Sequence, residues 1–228
     1  MAAAGAVSAR LRRSTRTQDD YEVLVAGRTV LATVTASPAV ARRWIYTTLW
    51  RGRQRLNSGK GLTVGMGVQW TPPFLGSSSD DESESSDEES ESEPRPGTVQ
   101  LCSGQRCLVF QIAQAAKYAD DGATPAVLRR FLDDPRVAFV GFGSDCRKLG
   151  AHHGLEVRCT RELRAVTGMG NTSMERMAER LLGSGGVKKA RRVGVSRSSN
   201  ACVDAYLSYC LGVTPDSDSD AESGSDSD

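Results

Sequence analysis

Two stretches of this 228-residue chain cannot belong to any folded core, and they limit everything else. Residues 80–93 read DDESESSDEESESE and residues 216–228 read DSDSDAESGSDSD. Such Ser-rich, acid-rich, low-complexity runs bury too little apolar surface to offset the entropy of ordering. They hold 15 of the 28 acids, so a formal net charge of +1 conceals a body with 13 acids against 29 Lys and Arg. The folding part is therefore a basic body, about +16, carrying an acidic insertion and an acidic tail. The length suits one domain. The expected organisation is a disordered basic arm over 1–20, a domain over 21–212 with a disordered acidic insertion at 77–96, and a disordered acidic tail over 213–228.

Several classes fall away. No apolar run approaches the ~20 residues of a membrane-spanning helix. The six cysteines (102, 107, 146, 159, 202 and 210) are scattered and mostly set in apolar strings. That pattern suits reduced, buried thiols in an intracellular protein of nucleus or cytoplasm better than a secreted disulfide scaffold. Cys102 and Cys107 flank a turn, yet no second Cys/His pair stands at zinc-finger spacing. The first 18 residues carry four arginines and no acid, which suits either a plain basic arm or an organellar transit peptide.

Along the body, apolar and polar residues alternate over 21–36 around Gly27-Arg28, a hairpin pattern. Ser37-Pro38 marks the start of a helix reaching about Leu56, with Val40, Trp44 and Leu49 inward. An apolar strand over 62–70 ends at Thr71-Pro72-Pro73, and a second hairpin turns at Ser103-Gly104-Gln105. Thr124-Pro125 precedes a short helix, and 137–142 (VAFVGF) suits a strand covered on both faces. A helix opening at 145–149, a strand at 155–159, helices near 161–166 and 173–182 and a last helix over 200–211 complete the pass. Hairpins first and strand–helix alternation later indicate α/β class with a mixed sheet.

Two carboxylates draw attention. Asp145 follows the buried strand through Gly141 and Gly143, at the carboxyl edge of the sheet, as a helix N-cap or as a ligand. Asp204 sits in the apolar string ACVDAYL, either exposed on an amphipathic turn or buried with a partner. His152-His153 reads as a pair at a helix C-terminus.

TVQLCSGQRCLVFQI, VAFVGFGSDCRKL, GLEV and ACVDAYLSY, in that order, resemble the 3′–5′ exonuclease domain of the RNase D and Werner-exonuclease group (DEDD family), in its plant Werner-like branch. YEVLVAGRTVLATVTAS and VGMGVQW extend the resemblance upstream, so that it covers about 21–212. It implies an RNase H-like fold, a five-stranded mixed sheet with helices on both faces. It also implies a site in which four carboxylates hold two Mg²⁺ or Mn²⁺ ions for phosphodiester hydrolysis. The family's Asp-x-Glu before Trp is replaced here by Gly67 and Gln69 before Trp70. Its second and third motif aspartates map to Asp145 and Asp204, and the tyrosine that positions water maps to Asn200.

With two carboxylates for a charge of +4, one weakly held metal is the most this set implies. The expectation is a degenerate exonuclease-like domain that binds nucleic acid, a single strand or a 3′ end, with hydrolysis lost or strongly reduced. An active metal-dependent exonuclease is the alternative, and an interaction module working through its acidic segments is a second. Lys188, Lys189, Arg191, Arg192 and Arg197, beside the third motif, form the candidate nucleic-acid surface or else a solvated or disordered basic loop. Ser79, Ser86, Ser217 and Ser219 lie among acids, as acid-directed kinases favour. The acidic runs suit a tunable electrostatic shield, a lure for basic protein partners, or a solubilising spacer.

Overall fold

The computed structural model describes residues 7–71, 95–118, 124–183 and 196–213. Eight strands form one sheet in the order β1-β2-β3-β6-β5-β4-β7-β8. They are β1 (Ser8–Ser14), β2 (Asp19–Val25), β3 (Arg28–Thr35), β4 (Leu62–Thr71), β5 (Arg95–Ser103), β6 (Arg106–Phe110), β7 (Val137–Gly141) and β8 (Thr160–Glu162). The sheet is mixed. β5 runs antiparallel to β4 and β6, whereas β4, β7 and β8 are mutually parallel.

The five strands β6-β5-β4-β7-β8 are the RNase H-like mixed sheet. The other three make eight where five were expected, because β3 adds in parallel to the β6 edge and carries the β1-β2-β3 meander with it. The meander also corrects the basic arm, since residues 8–14 form a strand. Acids on β2 make that strand possible. Arg13 Nε lies 3.2 Å from Asp20, Arg12 Nη1 lies 3.8 Å from Glu22, and Ser14 Oγ donates to Asp19 at 2.6 Å. The β2–β3 turn is Ala26-Gly27, both with positive φ (49° and 76°), the geometry that matches strand twist in a two-residue hairpin.

Helices cover both faces. α1 (Pro38–Arg51) starts with Pro38 in its first turn, as expected, and buries Val40 and Trp44, together with Ile45. Leu49 is only partly buried. Gly52 separates α1 from a short α2 (Arg53–Asn57), so the expected single helix is two. α3 (Ala126–Leu132), α4 (Gly143–His153), α5 (Leu163–Thr167), α6 (Met174–Leu182) and α7 (Ser196–Val213) follow. His152 and His153 close α4, as read from the sequence.

The strand expected at 155–159 is displaced to β8. Arg158 N–H donates to Leu132 O, and only from Cys159 O does the segment pair with β7, at Phe139. β5 also takes in Arg95 and Pro96 from the stretch assigned to the acidic insertion, and Val213 of the expected tail closes α7. The rest of the insertion and of the tail lies outside the described residues.

Two cores result, one per sheet face. Val64, Met66, Val68, Val99 and Leu101 meet α1 and α3 on one side. Val30, Ala32, Val34, Cys102, Cys107 and Val140 meet α6 and α7 on the other. All six cysteines are free thiols, with Cys102, Cys107 and Cys202 fully buried. Among the described residues no helix is long and apolar enough to cross a membrane.

Candidate functional site

The face of β4 under α7 is built from residues 65, 67 and 69, since side chains alternate along a strand. Position 65 is glycine for a steric reason: a Cβ there would fall onto Ala205 O and Tyr209 N of α7. Helix backbone thus lies directly on strand backbone. At the far end of α7, a Cβ on Gly212 would strike the Val140 side chain. Two glycines, one in each element, let α7 settle onto the sheet and fix the depth of Asp204. That residue is partly buried with its Oδ1 out of solvent, so the exposed reading for Asp204 is excluded. Ser208, one turn further on, is fully buried, and its Oγ has no hydrogen-bond partner among the described residues.

Gly67 faces a neutral group. Its register partner on β5 is Gln100, and a Cβ on Gly67 would stand 2.7 Å from Gln100 Oε1. Gln100 is 1% exposed, and its Nε2 donates to Thr98 Oγ1 (2.5 Å) and Thr98 O (3.3 Å). Gln69 pairs in register with that same Thr98. So where the resemblance places two carboxylates, this strand pair presents a glycine and two carboxamides, and the glycine's space is already taken.

Asp145 is not an N-cap. Phe142 holds that position, and Asp145 is the third residue of α4, its N–H donating to Phe142 O at 3.1 Å. An acid in the first helical turn is favourable on its own account. A residue that sequence reasoning missed lies close by: Glu162, ending β8, accepts from Gly143 N–H at 2.5 Å and so satisfies an α4 amide. Asp145 and Glu162 both raise the Cys146 thiol, after burial, which acts most, to about 11. No signal in a single sequence would have paired Glu162 with Gly143, 19 residues away.

Asn200 and Arg197 fall on α7, with Asn200 one turn before Asp204. Lys188, Lys189, Arg191 and Arg192 lie outside the described residues, as do Ser79, Ser86, Ser217 and Ser219. Among the described residues no three His, Cys, Asp or Glu side chains gather as a metal-binding group. The donor set on β4 and β5 does not fit a two-metal centre, since carboxamides bring no negative charge against +4.

No family model matches the chain, and no curated protein matches it in sequence. Solved structures of the EXD2 exonuclease domain align with it. One, soaked in Mg and GMP, is 18% identical over 79% of this chain and 85% of that chain, with a TM-score of 0.41. Another is 19% identical over 79% and 86%, with a TM-score of 0.40. A third, soaked in Mn, is 19% identical over 79% and 86%, with a TM-score of 0.36. The chain is similar to these domains at a level too low to carry an argument, so its RNase H-like fold rests on its own strand order and strand directions.

Proposed function

We propose that this chain is a 3′–5′ exonuclease-like domain of the RNase D and Werner group that binds nucleic acid, a single strand or its 3′ end, with hydrolysis lost or strongly reduced. The observation that carries the reading is the Gln100 side chain packed into the space beside Gly67, where an aspartate would have to stand. A missing carboxylate alone leaves a gap that another donor can fill. A gap closed by a buried, hydrogen-bonded amide is a site rebuilt without its charge. Asp145 and Asp204 then hold at most one Mg²⁺ or Mn²⁺, weakly. The excess of basic residues in the body supplies the attraction for phosphates, with Lys188, Lys189, Arg191, Arg192 and Arg197 as the proposed contacts. Phosphorylation at Ser79, Ser86, Ser217 and Ser219 would strengthen the competition that the acidic runs offer to a bound strand.

The test is the purified protein with a 5′-labelled single strand and Mg²⁺ or Mn²⁺, read on a denaturing gel, alongside fluorescence anisotropy for binding. The expected result is salt-dependent binding and no shortening. Progressive shortening from the 3′ end that disappears in Asp204→Asn would overturn the loss of hydrolysis. Absence of salt-dependent binding, both with and without residues 77–94, would overturn the binding function.

A further inference from the structure

The opposite face of the sheet carries a second site that the cleft reading does not use. Beside α1, where β1-β2-β3 extend past the five-stranded core, there is a cavity of about 420 Å³. Four arginines line it, Arg12, Arg13, Arg43 and Arg106, together with one acid, Asp20. That carboxylate is already saturated. It accepts from Gln18 Nε2 (2.8 Å to each oxygen) and Thr33 Oγ1 (2.9 Å), and it pairs with Arg13 at 3.2 Å. Among the described residues Arg43 has a neutral partner, Gln18 Oε1, at 2.5 Å, and Arg12 reaches Glu22 alone, at 3.8 Å on the surface.

Two of the lining residues each hold a buried donor atom without a partner among the described residues, Arg106 Nη1 and Trp44 Nε1. Trp44 is 3% exposed. Arg106 as a whole is partly buried, and polar atoms closed to solvent, such as its Nη1, are ordinarily hydrogen-bonded. Burial, and after it the nearby Arg51, push the Arg106 guanidinium below its ordinary value. Both effects would be relieved by an anion rich in acceptors. Guanidinium groups match tetrahedral phosphate by paired hydrogen bonds, and the volume falls in the range of small-ligand sites and exceeds a single ion.

We infer that this pocket binds a phosphate-bearing ligand, with Arg43 and Arg106 as its donors and Trp44 in its wall. Free inorganic phosphate or pyrophosphate and the backbone of a nucleic-acid strand share that chemistry. The site lies on the α1 face and Asp204 on the α7 face, so this inference stands independently of the cleft.

The probes are inorganic phosphate, inorganic pyrophosphate and a short oligothymidylate, each titrated into ¹⁵N-labelled protein. Only three indole signals exist, from Trp44, Trp50 and Trp70, and Trp50→Phe and Trp70→Phe assign them by elimination. A saturable shift of the Trp44 signal is expected, weakened at least tenfold in Arg43→Gln and in Arg106→Gln and unchanged in Asp204→Asn. If Arg106→Gln fails to fold, Arg12→Gln/Arg43→Gln, on exposed positions, serves instead and should show the same loss. Response to pyrophosphate but not to oligothymidylate identifies a free phosphate ligand. A response to oligothymidylate whose salt slope falls by about 0.7 per arginine removed identifies a strand. No saturable Trp44 shift with any probe, or equal affinity in parent and arginine variants, overturns the proposal.

Discussion

Replacing Gly67 by aspartate restores the charge that the exonuclease resemblance calls for, and the structure sets what that restoration costs. The new Cβ would begin 2.7 Å from Gln100 Oε1, closer than real Cβ contacts come, so Gln100 must move. It is 1% exposed and tied by Nε2 to Thr98 Oγ1 and Thr98 O, so it cannot swing into water without giving up both bonds. Overpacking of this kind costs about 1–3 kcal/mol and a stranded buried amide a similar amount, which together make roughly 2–6 kcal/mol for Gly67→Asp. In a domain of this size that lowers Tm by roughly 4–24 °C.

Truncating the obstacle should return much of it. Gly67→Asp/Gln100→Ala is expected to be more stable than the sum of the two single changes by about 1–3 kcal/mol, the coupling expected of groups in contact. Urea denaturation of the four proteins measures it. Gly67→Asp within 0.5 kcal/mol of the parent, or additive single effects, would refute the claim that Gln100 occupies the aspartate's place. Adding Gln69→Glu extends the logic to chemistry. With Mn²⁺, the triple variant should shorten a labelled strand faster than Gly67→Asp/Gln69→Glu, and both only partially, because Asn200 remains.

Gly65→Ala should prevent α7 from docking and cost upwards of about 3 kcal/mol, since the clash is with Ala205 and Tyr209 backbone atoms that cannot rotate away; circular dichroism during heating reads it. Cys146 should react slowly with iodoacetamide at pH 8 and gain reactivity through about pH 11, because burial, then Asp145 and Glu162, hold the thiol protonated. A thiol raised in the folded state favours folding below about pH 9, its ordinary value in the unfolded chain, and that contribution is lost as pH climbs towards 11. Asp145→Asn should lower the midpoint of the reaction profile, and a midpoint near 9 in the parent would contradict the burial. Asp20→Ala should loosen β1 and the pocket beside it by roughly 1–3 kcal/mol, read by hydrogen exchange at 8–14, because Gln18, Thr33 and Arg13 all converge on that carboxylate.

What could be read from the chain alone is what depends on neighbours in sequence. The hairpin at Gly27, the helix opening at Pro38, the turn at Gly104 and the apolar strand at 137–141 each follow from local backbone chemistry and short-period patterning. The mapping of Gly67 and Gln69 onto acids belongs to the resemblance, and what the structure adds is their register partners on β5, Gln100 and Thr98. Strand β1 was not legible. Arg10, Arg12 and Arg13 read as part of a basic arm until the fold lays Asp20 and Glu22 beside them. Nor could a single sequence show that Gln100 fills the space at Gly67, that Glu162 accepts from Gly143, or that Arg106 and Trp44 line one cavity with Arg43. Those facts depend on which strands become neighbours and on which sheet face a helix settles. The sequence determined that more than half of the acids lie in 80–93 and 216–228, which leaves the rest of the chain basic. The tertiary structure decided where the remaining charges meet, because electrostatics and packing act through distances that chain order does not contain.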